Sequence, residues 1–150
     1  MATVTVETEA GHAFATKVTG KQHTLIADEP PPDGEDLGMS PYELLLAALG
    51  SCTAMTLTMY ARRKEWPLEQ VRIRLEFDRI HAGDASLSDR PTNRIDRITR
   101  EIDLMGPLDE QQRQRLMEIA AKCPVHRTLS NGPLIVDRIV ERVEATGSPA

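Results

Sequence analysis

The chain carries two cysteines, Cys52 and Cys123, 71 positions apart, and four histidines, His12, His23, His81 and His126. These are the side chains from which thiol or metal chemistry would be built. A structural zinc site needs closely spaced ligand pairs, and no histidine stands at such a spacing from another or from either cysteine, so no metal site is read. Nor do two isolated cysteines make a disulfide framework. What remains is a pair of free thiols. They are either packed as small hydrophobes or joined in a dithiol couple, one sulfur attacking and the other resolving the sulfenic acid that results. Cys52 is flanked by Gly50, Ser51 and Ala54, small residues that let a substrate or another backbone approach the sulfur. Cys123 directly precedes Pro124. At the C-terminus of a helix its thiolate is disfavoured by the dipole, but with Pro124 at N1 of a new short helix Cys123 becomes the N-cap and its thiolate is favoured. Both readings stand.

These thiols have to be positioned by secondary structure. Ser40-Pro41-x-Glu43 reads as N-cap, N1 proline and N3 glutamate of a capping box, opening a helix over 41 to 63 that carries Cys52 near its middle and stops before Pro67. Upstream, Thr3 to Val6, Phe14 to Val18 and His23 to Ala27 have extended signals and predict three short antiparallel strands. Asp28 to Gly34, with three consecutive prolines, is a surface loop. Downstream, Val71, Ile73, Leu75 and Phe77 alternate with charged residues, a strand with one buried face. A polar loop from His81 to Asn93 separates it from a second strand around Ile98, Ile102 and Leu104. A helix over 108 to 122 follows, with Leu116, Ile119, Ala120 and Cys123 at helical spacing. The run Leu134 to Val143, after Gly132-Pro133, predicts a final strand. The order βββ-α-ββ-α-β predicts one α+β domain over residues 1–150, its helices packed on antiparallel sheet.

Composition narrows the function. One hundred and fifty residues with 40% apolar side chains can bury a sizeable core. A net charge of −5 and only five Phe, Tyr and Trp residues argue against a nucleic-acid partner. Arg62-Arg63-Lys64 and the arginines at 90, 94, 97 and 100 resemble anion patches, but a solvated face is the simpler reading. No signal peptide is read at the start, and the reducing cytoplasm is the expected compartment. Leu44 to Ala61 is 18 residues without a charge, the lower edge of a membrane span. Ser51, Cys52, Thr53, Thr56, Thr58 and the soluble-type capping box argue against the span. A soluble helix so apolar all round must lie between packed elements, which in a short chain points to burial against a partner subunit.

Ser40-Pro41-Tyr42-Glu43-Leu44-Leu45-Leu46-Ala47-Ala48-Leu49-Gly50-Ser51-Cys52, together with Ala121-Lys122-Cys123-Pro124-Val125-His126, resembles the two signature segments of the OsmC/Ohr family of organic hydroperoxide reductases. The likeness in element order extends over nearly the whole chain. The resemblance implies an interleaved α+β homodimer with its two long helices buried at the centre. It further implies a thiol-dependent peroxidase in oxidative stress defence, with Cys52 peroxidatic and Cys123 resolving. No cofactor is implied beyond an external dithiol reductant, such as a lipoyl protein or thioredoxin.

The sequence departs from the best-characterised branch of that family, which has a glutamate ten residues before the first cysteine and an arginine in an N-terminal hairpin. Here Tyr42 takes the first place, and Glu43, one step on, falls on the opposite side of the helix from Cys52. Tyr42 itself is about 80° round and about 15 Å along the axis from Cys52. Glu43 is accordingly best explained as a cap. The hairpin offers Lys21 and His23 in place of the arginine, unless both are ordinary turn residues. Tyr42 to Ala48 and His23 to Asp28 are similar to the OsmC-like branch, whose substrate is open. Asp28 and Glu29 could rim a pocket. His126 could orient or protonate a leaving group, or simply lie at the surface. Two other functions compete with the peroxidase: a small-ligand-binding or redox-sensing module without catalysis, and general thiol-disulfide exchange.

Overall fold

The computed structural model describes residues 1–81 and 94–142, and the long hairpin tip expected at 81 to 93 lies, after His81, outside them. The fold is α+β. Three short strands, β1 (Thr5–Thr8), β2 (Thr16–Thr19) and β3 (Thr24–Ala27), form an antiparallel meander in chain order. The helix α1 (Pro41–Arg63) follows, then the hairpin β4 (Gln70–His81) and β5 (Arg94–Met105), and two helices, α2 (Glu110–Ala120) and α3 (Pro124–Asn131).

Alternating sequence gives the hairpin its two faces. Its register pairs Val71 with Leu104, Ile73 with Ile102, Leu75 with Arg100 and Phe77 with Ile98, so these eight side chains share one side. Across that side lies α1. At Gly50 the approach is close: a Cβ there would stand 2.8 Å from Leu75 Cδ1. The core forms where the C-terminal half of α1, the open end of the hairpin and α2 converge, around Leu57, Ala61, Leu104, Leu108, Leu116, Ile119 and Ala120. Gly106 makes the turn into α2 with φ +130, and a Cβ on it would lie 2.1 Å from the Pro67 carbonyl oxygen. Only glycine fits that turn.

The capping box at α1 forms as read. Ser40 Oγ accepts from Glu43 N–H at 3.3 Å, and Glu43 Oε2 accepts from Ser40 N–H at 2.7 Å. By length and composition α1 could also cross a membrane. Within one chain it buries Leu49, Gly50, Thr53, Leu57 and Ala61 and leaves Ala48, Ser51, Met55 and Met59 exposed.

Two expectations need correction. The second helix is shorter than 108 to 122, and the chain folds straight into a further helix at Pro124. The final strand expected from Leu134 to Val143 does not form over its described residues, 134 to 142, which have no regular structure. Leu134, Ile135, Val136, Ile139 and Val140 are all exposed there. Their β propensity needs a neighbouring strand to satisfy backbone N–H and C=O groups, and the described residues of this chain place none beside them.

Candidate active site

Cys52 lies midway along α1, and Cys123 occupies the junction between α2 and α3. Cys123 is the N-cap of α3, with Pro124 at N1, and its Sγ accepts from the His126 backbone N–H at 3.5 Å. The choice left open by the sequence is thereby resolved in favour of the helix N-terminus, where free amides and the dipole stabilise a thiolate.

The two thiols meet. Both are reduced, and each is close enough to the other to act on its ionisation. The Val125 N–H, in the first turn of α3, favours the charged form of both sulfurs. The Thr56 hydroxyl donates to the Cys52 backbone carbonyl at 2.8 Å and the Thr53 hydroxyl to the Leu49 carbonyl at 2.7 Å, and each hydroxyl dipole also favours charge on the neighbouring sulfur. Burial raises the cost of ionising either thiol. At Cys52 burial prevails, reinforced by Cys123 beside it, and the pKa is raised despite the Val125 amide and Thr56. At Cys123 the opposite holds: the Cys52 thiol, the His126 amide, Thr53 and the Val125 amide outweigh burial, and the pKa is lowered. Of the two, Cys123 is therefore the thiol that ionises more readily.

Access runs the other way. Cys123 has no solvent-exposed surface, whereas Cys52 opens onto a cavity of about 340 Å³ walled by Ala48, Ser51, Met55, Thr56, Met59 and Pro124. The apolar walls and single reachable sulfur suit a small organic molecule carrying an electrophilic atom.

Of the candidate activating and pocket-rim residues Tyr42, Glu43, Lys21, His23, Asp28, Glu29 and His126, none lines that cavity. Glu43 is occupied by the capping box. Tyr42 stacks on Phe77 at 4.4 Å between ring centroids, and its hydroxyl accepts from Arg79 at 3.5 Å. Lys21 and His23 are exposed at the β2–β3 turn, closed by Gly20 N–H to the His23 carbonyl at 2.8 Å. Asp28 organises its own loop instead of rimming a pocket: it is buried and accepts from the amides of Glu29, Glu35 and Leu37 at 2.8, 3.1 and 3.2 Å. Glu29 contributes backbone to the same loop. His126 reaches Cys123 through its backbone and lines a second cavity, of about 560 Å³, with Tyr42, Leu49, Phe77 and Arg100. Among the described residues no group of three or more His, Cys, Asp or Glu side chains could hold a metal ion.

Thr53, Thr56 and Arg100 were missed in the sequence. Arg100 was grouped with the solvated arginines, yet it shares the parity of Ile98, Ile102 and Leu104 and therefore the inward face of β5. Its Nη1 donates to Thr53 Oγ1 at 2.8 Å and to the Ala120 carbonyl at 3.2 Å.

Comparison with solved structures returns the same architecture. An OsmC-like protein from Mycoplasma pneumoniae superposes with a TM-score of 0.69 at 18% identity, over 88% of this chain and 89% of that one. A putative osmotic stress induced and detoxification response protein from Psychrobacter arcticus gives a TM-score of 0.62 at 25% identity, over 85% and 88%. The organic hydroperoxide resistance protein OhrB of Bacillus subtilis gives 0.60 at 18% identity, over 88% and 92%. No curated protein sequence matches. A family profile described as OsmC-like protein does match, over residues 33–136, a span that holds both cysteines and every element from α1 to α3. By that match the chain belongs to the OsmC-like protein family.

Proposed function

We propose that this protein is a thiol-dependent peroxidase that reduces organic hydroperoxides through Cys52 and Cys123. One observation supports the reading above others: two reduced thiols from different helices adjoin at a helix N-terminus, and only one of them opens onto an apolar cavity. In the proposed reaction the hydroperoxide enters that cavity and the Cys52 sulfur attacks its terminal oxygen. The S–O bond forms as the O–O bond breaks. The Cys52 proton passes to Cys123 and on to the departing alkoxide, which leaves as an alcohol. Cys123, again a thiolate, displaces hydroxide from the sulfenic sulfur, closing the disulfide. An external dithiol, a lipoyl protein or thioredoxin, then reduces the disulfide and is itself oxidised. No bound cofactor takes part.

The protein would work in the cytoplasm as a homodimer, with the open face of α1 and the apolar segment from Leu134 to Val140 covered by the second copy, and without nucleic-acid or membrane partners. Consumption of cumene hydroperoxide and hydrogen peroxide, with dihydrolipoamide or thioredoxin as reductant, tests the reaction. The organic substrate is expected to be turned over at least about tenfold faster, since burying two methylene equivalents contributes ~1.6 kcal/mol. A protein that consumes neither, while binding apolar ligands in the cavity, would be a binding or redox-sensing module. The raised pKa of Cys52 is the observation in favour of that second reading.

A further inference from the structure

Two arginines of β5 use their guanidinium groups differently. Arg97, on the outer face of the hairpin, sets Nε and Nη2 against the two carboxylate oxygens of Asp78, with Nε to Oδ1 at 2.9 Å. That side-on fork matches a carboxylate in spacing and in charge. Arg100, on the inner face, engages only Nη1, with Thr53 Oγ1 at 2.8 Å and the Ala120 carbonyl at 3.2 Å. Its Nε and Nη2 meet no protein acceptor and no carboxylate among the described residues. No buried side-chain nitrogen or oxygen there lacks a partner, so these two nitrogens reach open space. A half-buried cation without a counter-charge is costly, and an anion brought to it is favoured.

Arg100 lines the second cavity, of about 560 Å³, which shares no residue with the cavity at Cys52. Strand register orders the hairpin side of this cavity. Arg79 pairs with Asp96 toward the tip, Phe77 with Ile98 in the middle, and Leu75 with Arg100 toward the core. The acid that lines the cavity, Asp96, already holds Arg79 at 3.1 Å and stands four positions from Arg100, about 13 Å along the strand. Between the two ends the walls are apolar, with Leu45, Leu49 and Leu129 closing over Phe77 and Ile98. A neutral molecule would leave the Arg100 fork unmatched, and a dianion would bring its second charge toward Asp96. The ligand that fits carries one carboxylate and an apolar body, the usual combination of apolar walls with a single placed charge.

We propose that this cavity is a second ligand site, for an apolar monocarboxylate of the size of a medium-chain fatty acid. The carboxylate sits on Nε and Nη2 of Arg100, and the chain runs over Ile98 and Phe77 toward the mouth. Binding is non-covalent and uses neither sulfur, so the site stands or falls independently of the proposed peroxidase. Thr53 and the Ala120 carbonyl, by holding Nη1, fix the plane of the guanidinium before the ligand arrives.

Calorimetric titration of the reduced, full-length protein with octanoate tests the site without any peroxide. One octanoate is expected to bind per chain, with octanol, which keeps the body, and acetate, which keeps the charge, each at least about tenfold weaker. Arg100→Gln should weaken octanoate by at least about tenfold and leave octanol unchanged, a split that a general loss of packing would not produce. Arg100→Lys should recover only part, because an ammonium lacks the fork. Ser130→Trp, at an exposed position on the cavity wall, should block octanoate. Protein alkylated at Cys52 should bind octanoate as before. Absence of octanoate binding would overturn the proposal, as would equal affinity for octanol, undiminished binding to folded Arg100→Gln protein, or loss of binding on alkylation of Cys52. Should Arg100→Gln fail to fold by circular dichroism, Ser130→Trp and the comparison of octanoate with octanol decide. Hydroperoxide turnover is measured separately, so an inactive protein that binds octanoate and an active one that does not are distinguishable.

Discussion

At the scale of single residues the site divides two properties that a reactive cysteine ordinarily combines. Cys52 has the access and Cys123 has the amides, the hydroxyl and the lowered pKa. In the proposed reaction attack comes from Cys52, because a peroxide cannot reach a sulfur with no exposed surface. One equivalent of an organic hydroperoxide is thus expected to remove both thiols from the wild-type protein. Cys52→Ser should keep its remaining thiol, and Cys123→Ser should stop at the sulfenic acid or proceed to the sulfinic acid. Mass spectrometry distinguishes these products, and a Cys52→Ser protein with full peroxide consumption would reverse the assignment. The cysteines could be singled out from the sequence because their residue types are chemically rare. Thr53 and Arg100 could not be weighed in the same way, since a threonine in a helix and an arginine in a strand are ordinary until their faces are known. The clue for Arg100 was its place among Ile98, Ile102 and Leu104, a charge at the spacing of the buried set.

At the scale of elements, caps and turns hold the thiols in place. Ser40 closes the capping box of the helix that bears Cys52, and Ser40→Ala is expected to cost about 1 kcal/mol in chemical denaturation. Gly106→Ala should cost more, at least about 2 kcal/mol, because it combines a positive φ with a Cβ driven into the Pro67 carbonyl. The turn it disrupts sets α2, and with α2 the position of Cys123. The N-terminal meander is tied to the proline-rich loop by His12 and Glu35, at 2.8 Å. The bond to Glu35 raises the His12 pKa above that of a free imidazole. A raised pKa means the folded state binds the proton more tightly. The pair's contribution is complete below about pH 6.5 and fades as the pH rises through the native value. The difference in denaturation midpoint between wild type and His12→Ala should accordingly shrink from about pH 5.5 to about pH 8.5. A difference that grows over that range would contradict the pairing. Being exposed, the pair should show a small effect.

At the scale of the whole molecule the single chain leaves two apolar surfaces uncovered. One is the stripe on α1 that includes Met55 and Met59, beside the Cys52 cavity. The other is the run containing Leu134, Ile135, Val136, Ile139 and Val140, whose exposures range from 64% to 93%. Apolar surface on that scale marks an interaction site, and an unpaired strand-like segment is a template for pairing with another chain. Sedimentation at micromolar concentration is expected to give twice the 16.7 kDa chain mass. A chain ending at Pro133 should lose that dimer or aggregate, and a full-length chain that sediments as a folded monomer would contradict the proposed assembly.

Periodicity and punctuation in the sequence determined most of the local structure. Ser40, Pro41 and Glu43 specified where α1 begins, the alternation from Val71 to Phe77 specified β4, and Pro124 specified a break after Cys123, because caps, prolines and strand parity act over a few residues. Sequence signals alone left Cys123 between two opposite helix fields and Leu134 to Val143 as a strand. The first was resolved by the turn of the chain into α3, which brought free amides to the sulfur. The second depended on a neighbour, since a strand exists only where another strand accepts its hydrogen bonds. The meeting of Cys52 with Cys123, and of Arg100 with Thr53, was likewise a tertiary outcome: it joins residues 71 and 47 positions apart. No local propensity encodes a distance between elements, and only the packing of α1 against β5, α2 and α3 supplies it.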